Sequence, residues 1–219
     1  MRELGTVIPI ASDRNIPVVE DADDLGDPAL TAESASYNED DVVLAQRSLG
    51  SFKLTRLVRA SEELVVDDDA GFVGMLPGLI ARRFAPAEET WFVNGTGSGQ
   101  PRGVLLDAIL GKTLAGAAAV TSDELIDLFY SVRRPYRKRA SWLMNKPVLT
   151  SDAMPAATTG LKSGAFGDFS YYWIGDRGPR GVKRLEERYA ELGQVGFLSS
   201  QRTDGVLTIK EAVKHMIQA

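Results

Sequence analysis

Cysteine is absent from the 219 residues of this sequence, and histidine occurs only once, as His215. A chain without cysteine has no disulfides, no thiolate nucleophile, no iron–sulfur cluster and no thiolate zinc site. A single histidine also makes multi-histidine metal sites and most Ser-His-Asp arrangements hard to build. We therefore predict no catalytic residue, no metal and no cofactor, and we interpret His215 as an ordinary surface or packing residue.

Long apolar stretches are missing as well. No run approaches the roughly 20 residues that a membrane-spanning helix needs, and the sequence does not begin with a basic segment followed by an apolar one. We expect a soluble protein with no membrane partner. Apolar residues make up 44% of the chain and charged residues 25%, which is the composition of an ordinary folded protein.

Basic residues are scarce in the first part of the chain. The net charge is -5, which argues against a dedicated nucleic-acid-binding protein. Residues 1–50 hold 11 acidic and 3 basic residues, whereas the remaining 169 residues hold 19 acidic and 22 basic ones. An acidic segment thus precedes a mildly basic body.

The acidic segment from Glu20 to Asp41 has almost no large apolar residues and cannot bury itself. Strand-like sequence lies on both sides of it, at Ile16–Val19 and in the alternation that begins at Phe52. A connection this long is uncommon inside a compact domain and is usually functional. The pattern predicts either an arm that reaches another molecule or a disordered surface loop, and the acidic tip fits either solvent or a basic neighbour.

Apolar residues at three- and four-residue spacings predict a long helix from Gly71 to Val93. Asn94 and Gly95 are typical of a helix that ends in the left-handed conformation. Pro77 and Pro86 oppose a straight rod, because each proline removes a hydrogen bond and clashes with the preceding turn. We therefore expect a bend, or a late start near Pro77.

A second helix is predicted by the capping box of Thr121 and Glu124 and is expected to stop at Pro135. The segment Lys210–Gln218 fits either a helix or a strand. Helices and strands mix without a regular alternation, which favours the α+β class. The strand-like segments are Ser141–Met144, Val148–Thr150, Ala165–Phe166, Tyr171–Ile174, Gln194–Leu198 and Val206–Ile209.

Two motifs could carry chemistry, and each also has a plainer interpretation. The glycine-rich stretch Asn94–Gln100 could hold a phosphate, but it lacks the lysine of a P-loop and follows a helix instead of opening one. The plainer interpretation of this stretch is a tight turn. Asp67-Asp68-Asp69 could bind Mg²⁺ or Ca²⁺, but acids near a helix start are stabilised by its dipole. A nucleotide-binding enzyme that uses both motifs is the remote alternative function.

Clusters of charge are the best candidates for contacts between molecules. Five cations in seven residues could meet phosphate or an acidic partner, although cations are also favoured at a helix end. The acidic segment of a neighbouring copy would be a suitable partner for them. The basic candidates are Arg133, Arg134, Arg137, Lys138 and Arg139, then Arg177, Arg180, Lys183 and Arg184; the acidic candidates are Asp21, Asp23, Asp24, Glu39 and Asp40.

Several blocks of the sequence, taken in order, resemble the major capsid proteins of tailed bacteriophages, whose Hong Kong 97-type fold is shared by encapsulin shells. Each block is moderately specific, but their succession covers nearly the whole chain. The most recognisable block is Phe92–Leu105, which resembles the family's link between spine helix and axial domain. The others are Leu57–Leu64, Asp123–Leu128, Ala140–Asn145, Pro147–Pro155, Phe166–Ser170 and Arg202–Gly205.

This resemblance implies a structural subunit that forms hexamers and pentamers of an icosahedral head around double-stranded DNA. Scaffold, portal or decoration proteins are further implied partners, and assembly in the host cytoplasm is implied as well. An encapsulin-like compartment that encloses protein cargo is the alternative. The implied division is an N-terminal strand region (1–16), an extended loop arm (17–52), a peripheral domain with the spine helix (53–100), an axial domain (101–170) and a return to the peripheral domain (171–219).

Three departures from the family pattern qualify these expectations. Asn145-Lys146-Pro147 directly joins two segments that the family separates by a helix and a glycine-containing loop, which predicts a truncated axial domain or a missing segment. Little sequence precedes Gly5, where the family has an N-terminal arm. Some members crosslink through a lysine in the extended loop, but residues 17–52 contain no lysine, so we do not expect covalent crosslinks of that kind.

Overall fold

The structure is a computed structural model, and the residues that it describes form three sheets and five α-helices. The described residues are 1–19, 30–34, 36–37, 39, 44–67, 71–116, 120–144, 153–155 and 158–219. The strands are β1 (Thr6–Pro9), β2 (Arg14–Val19), β3 (Leu44–Leu49), β4 (Phe52–Ser61), β5 (Ile109–Leu114), β6 (Ser141–Met144), β7 (Lys162–Gly167), β8 (Tyr172–Asp176), β9 (Gly181–Leu185), β10 (Gln194–Leu207) and β11 (Val213–Gln218). The helices are α1 (Glu62–Val66), α2 (Phe72–Asn94), α3 (Val104–Asp107), α4 (Ser122–Ser131) and α5 (Arg134–Arg137).

The first sheet is built around β10, which spans 14 residues. β4 pairs antiparallel along one side of β10, while β9 and then β8 pair antiparallel along the other side. β1 adds to β8 in parallel at the sheet edge, where its proline, which cannot donate to a ladder, is tolerated. The two strands predicted at Gln194–Leu198 and Val206–Ile209 are therefore largely one strand. The predicted strands leave out residues 199–205, where the apolar pattern is interrupted, yet Thr203, Asp204 and Gly205 are buried within the strand.

The long helix α2 lies on one face of this sheet. Leu76 and Ile80 of α2 form a core cluster with strand residues that include Val195 and Phe197. The helix begins at Phe72, so the expected late start near Pro77 is wrong, and both prolines lie inside the helix. The prediction that α2 ends in the left-handed conformation is wrong as well.

The left-handed residue is found at the other end of α2. Gly71, just before the helix, has φ 68°, whereas Gly95, just after it, has φ -58°. Gly71 turns the chain into the helix without a side-chain cap. Gly95 instead allows close packing, because a Cβ there would lie 2.0 Å from the carbonyl oxygen of Pro101.

The second sheet has the order β5-β11-β7-β6 and carries α4. Thr121 accepts a hydrogen bond from the Glu124 backbone N–H, and the capping box is complete, as predicted. Leu128 and Val132 are fully buried against Phe166 and Met216 of the sheet. α4 already ends at Ser131, and Pro135 lies in the first turn of α5, so Pro135 starts a short helix rather than stopping α4.

The segment Lys210–Gln218, which fitted helix or strand, contains both kinds of structure. A single 3₁₀ turn, Lys210–Ala212, is followed by β11, which pairs parallel with β5 and antiparallel with β7. The last strand of the chain is therefore a central strand of the second sheet. The largest core cluster lies between the two sheets and includes Phe92, Leu143, Tyr172 and Val213.

The third sheet is a two-stranded ribbon of β2 and β3, which pair antiparallel from Arg14 and Leu49 outward. Ile16, Val18 and Leu49 pack on Val206 of β10 and anchor the ribbon to the first sheet. We call this ribbon the arm root. The outgoing strand was predicted at Ile16–Val19, whereas the alternation from Phe52, expected to be the returning strand, belongs to β4 of the first sheet, and β3 pairs with β2 instead. Residues 20–29, 35, 38 and 40–43 lie outside the described part of the chain. The three sheets and the helices packed on them place the chain in the α+β class.

Candidate functional site

The glycine-rich stretch forms a tight turn after α2. Gly95 donates its backbone N–H to Trp91 O at the end of the helix (2.8 Å), and Gly103 donates to Gly95 O (2.9 Å). Thr96 and Arg102 pair as an antiparallel bridge across the turn. The loop thus meets the carbonyl end of α2, which repels anions, instead of the N–H end that binds phosphate. This geometry supports the interpretation as a turn.

Asp107, at the end of α3, links this turn to the arm root. Its buried carboxylate accepts two hydrogen bonds from the Arg102 guanidinium, at 2.7 and 2.8 Å. Arg47 of β3 lies 3.2 Å from the same carboxylate. One buried acid therefore joins the glycine-rich turn, α3 and the arm root.

Asp204 of β10 holds the arm root at a second point. Its carboxylate accepts the backbone N–H of Gly50 (2.7 Å), which lies between β3 and β4, and that of Gly205 (2.8 Å). Burial raises the pKa of Asp204 above its ordinary value, although these hydrogen bonds act in the opposite direction. Sequence patterns did not point to Asp107 or Asp204, because each bonds a residue far away along the chain.

A second ion network ties the start of the chain to α2. Arg2 binds Glu88 (2.6 Å) and both carboxylate oxygens of Asp176 (2.6 and 2.9 Å), while Arg180 lies 3.6 Å from Glu88. Glu88 is 4% exposed and interrupts the apolar series of the helix. An acid within an apolar stripe was the one sequence signal for this network.

The basic cluster Arg133–Arg139 separates into bound and exposed cations. Arg137 donates to the carbonyl oxygens of Tyr130 and Val132, and its guanidinium lies 5.4 Å from the centre of the Phe129 ring. Arg133 lies 3.3 Å from Glu211. Arg134 and Arg139 are exposed together with Lys138. Arg137 thus completes the carbonyl end of α4, and the exposed cations are the ones available for a partner.

The other predicted contact residues lie elsewhere. Arg177 follows β8 and lies near Asp13 (3.5 Å) and Ser51 (3.4 Å), while Lys183 is exposed on β9. Glu39 is exposed. Asp21, Asp23, Asp24 and Asp40 lie outside the described residues, so the structure does not place them relative to any cation.

His215 is a buried residue of β11, as one of its two interpretations held. Burial and the positive charge of Lys162 lower its pKa to about 4. Asp67 caps the carbonyl end of α1 instead of starting a helix, and its two neighbours 68 and 69 lie outside the described part. Within the described residues, no group of three or more His, Asp or Glu side chains could hold a metal ion.

Helices that could cross a membrane are not found among the described residues. The family model described as the phage capsid family matches residues 1–148 and 143–217. The two matched stretches meet at the junction near Asn145 where the sequence departs from the family order. A search of curated proteins found no match.

Solved structures with the same fold are numerous. The capsid of an empty GTA particle is 24% identical, with a TM-score of 0.86 over 100% of this chain and 89% of that chain. A chain from Mycobacterium phage Adephagia is 13% identical, with a TM-score of 0.71 over 100% of this chain and 89% of that one. Microbacterium phage Oxtober96 gives 14% identity and a TM-score of 0.70 over 99% and 90%. These likenesses establish the Hong Kong 97-like capsid fold.

Proposed function

The chain belongs to the phage capsid family and is a structural major capsid protein, not an enzyme, and from this premise we propose how it assembles. Copies form hexamers and pentamers, which close into an icosahedral head around double-stranded DNA. The observation that carries this proposal is the family match, which runs in order along almost the whole chain. DNA is contacted only through its phosphates, without reading of the base sequence, because the net charge of -5 argues against a dedicated nucleic-acid-binding surface.

The parts of the subunit follow from the same premise. Residues 53–100, with α2 as the spine helix, and residues 171–219 form the peripheral domain, and residues 101–170 form the axial domain near the symmetry axes. Residues 1–16 are the N-terminal strand region, and residues 17–52 are the arm, which reaches over a neighbour. The anchoring of the arm root by Asp107 and Asp204 supports this assignment, because an arm that binds a neighbour needs a fixed base.

Contacts between subunits use the exposed charged residues. Many weak, repeated contacts stabilise a closed lattice, since each subunit is held by several neighbours at once. Arg134 and Arg139 are suited to such contacts, because both are exposed, whereas the neighbouring Arg137 is bound to a carbonyl oxygen of its own chain. Assembly takes place in the host cytoplasm, with scaffold, portal or decoration proteins as further partners.

The contents of natural particles test this proposal. Particles that contain this chain would be purified from the cells that produce them, treated with nuclease and then analysed for nucleic acid and protein. We expect nuclease-protected double-stranded DNA. Particles that hold one enzyme and no protected DNA would instead indicate an encapsulin-like compartment, and would contradict the proposed role.

A further inference from the structure

The first sheet has one face covered by α2 and one face that α2 does not reach. Val195 and Phe197 of β10 pack against α2. Because side chains of a strand alternate between the two faces, Leu198, Ser200 and Arg202 point to the opposite face. Val206 lies on that face too, under the arm root.

Residues paired across neighbouring strands lie on the same face, so the strand register gives the rest of this surface. Arg202 is paired with Lys53, and Leu198 is paired with Leu57 on one side and Lys183 on the other. Farther along, Gly196 is paired with Arg59. We call these residues the basic sheet face: Lys53, Leu57, Arg59, Lys183, Leu198 and Arg202.

The basic sheet face is exposed and has unbalanced charge. Its four cations are exposed, and none of them forms an ion pair with any residue that the structure describes, although Arg59 lies 5.7 Å from the centre of the Tyr189 ring, which packs on Gly196. Arg202 and Lys53 lie directly opposite each other, an arrangement of like charges that destabilises a sheet unless an anion lies nearby. Leu57 and Leu198 are only partly buried between the cations. This surface therefore suits a partner that is both acidic and partly apolar.

The chain itself contains a segment with that chemistry. Residues 20–41 hold nine acidic residues and no lysine or arginine. Leu30 and Tyr37, within this segment, are 105% and 82% exposed, so the described fold does not bury either side chain. The 24 residues between Val19 and Leu44 are long enough to reach about 40 Å out and back.

We propose that the basic sheet face of one copy binds the acidic segment 20–41 of a second copy, with carboxylates at the four cations and apolar side chains on Leu57 and Leu198. The proposal deepens the proposed function, because it names the surface on which the arm lies. A DNA backbone would satisfy the cations but would leave Leu30, Tyr37 and the partly buried Leu57 and Leu198 without apolar partners. The spine helix α2 packs on the opposite face of the sheet and carries exposed cations of its own, Arg82 and Arg83, so binding to α2 is the alternative that a variant of these two residues tests.

Peptide binding tests the proposal without requiring assembly. A fluorescent peptide of residues 20–41 is titrated with the full chain at low salt, and then with the variant Lys183→Glu/Arg202→Glu. We expect binding that weakens with salt, and a loss of affinity of about tenfold or more in the variant. The matched control, Arg82→Glu/Arg83→Glu, reverses two exposed cations on α2 and should bind like wild type. No binding to wild type, or an equal loss in the control, would overturn the proposal.

Charge exchange supplies a second readout in assembly. Lys183→Glu/Arg202→Glu and Asp23→Lys/Asp24→Lys should each lower particle yield, and the combination should restore part of it. If the sheet-face variant fails to fold, a peptide with the two Asp→Lys changes should still lose affinity for wild type. A sheet-face variant that assembles normally but binds less double-stranded DNA would overturn the proposal in favour of DNA.

The same experiments separate this proposal from the proposed function. If wild type binds the peptide but never forms particles, the proposed function fails and the docking surface stands. If wild type forms particles and none of the variants changes peptide affinity or yield, the docking surface is wrong and the shell stands.

Discussion

Asp107 is the residue on which the arm root depends most at the scale of single side chains. Its carboxylate is almost fully buried and is shared by Arg47 and Arg102, which belong to different parts of the chain. Removal of one partner from a buried ion pair leaves charge without compensation, which costs more than the pair itself contributes. The sequence around Asp107 gives no sign of this role, because one of its two partners lies 60 residues away.

We predict that Asp107→Ala lowers the free energy of unfolding of the dissociated protein by about 3–5 kcal/mol, because two arginines lose their buried anion. Denaturant unfolding measures the change. Asp127→Ala is the matched control, since Asp127 pairs with Lys112 at 2.6 Å in an exposed position and its loss should change little. Equal effects from the two variants would show that the buried carboxylate has no special role.

His215 gives a second prediction at this scale, in the dependence of stability on acid. Its pKa is about 4 in the folded chain against an ordinary 6.5, so the unfolded chain binds the proton more readily between these values. Its contribution to stability is therefore complete above pH 6.5 and is lost as the pH falls towards 4, on the order of 3 kcal/mol in total.

The variant His215→Gln isolates this effect, because glutamine does not titrate. We expect the difference in unfolding free energy between pH 7 and pH 4 to be smaller in the variant than in wild type. Urea unfolding at a series of pH values measures it. Parallel curves for the two proteins across this range would contradict the assignment.

At the scale of elements, α2 contains two prolines that its packing tolerates. Each proline removes one hydrogen bond of the helix and crowds the preceding turn, but burial of Leu76, Ile80 and Phe92 holds the helix in place. The prolines therefore lower the stability of the folded protein, and replacing one of them should raise the free energy of unfolding.

We predict that Pro86→Ala raises the free energy of unfolding by about 1–2 kcal/mol, the gain in the helix less the added freedom of the unfolded chain. Thermal unfolding measures the shift. Pro135→Ala is the control, because Pro135 lies in the first turn of α5, where proline is favourable, and it should give no gain. A loss of stability in Pro86→Ala would show that the neighbouring structure requires the proline.

Local signals predicted the elements that depend on local interactions. The capping box placed the start of α4, and the apolar spacing placed α2 to within one residue at each end. The 14 residues of β10 were divided, because the apolar pattern is interrupted at residues 199–205, where Asp204 and Thr203 have distant partners in Gly50 and Arg2. β5 was not predicted, since it is stabilised by β11, which lies far away in sequence. β9 was not predicted either, although its partner β10 is the next strand along the chain.

At the scale of the whole molecule, fold and family were predictable, whereas the contact surfaces were only partly so. The ordered blocks from Leu57 onward pointed to the capsid fold, which the family match and the solved structures confirm. Charge alone could not separate Arg137, which the fold uses, from Arg139, which is exposed. The basic sheet face was not foreseen as a unit, because its cations come from three strands that only the register brings together.

The central claim is that this chain builds closed shells, and electron microscopy of the purified protein tests it most directly. Size exclusion separates any assemblies from the 23.7 kDa subunit before imaging. We expect closed shells, or rings of five and six subunits, at moderate salt. A single species of monomer that persists across salt and protein concentration would contradict it.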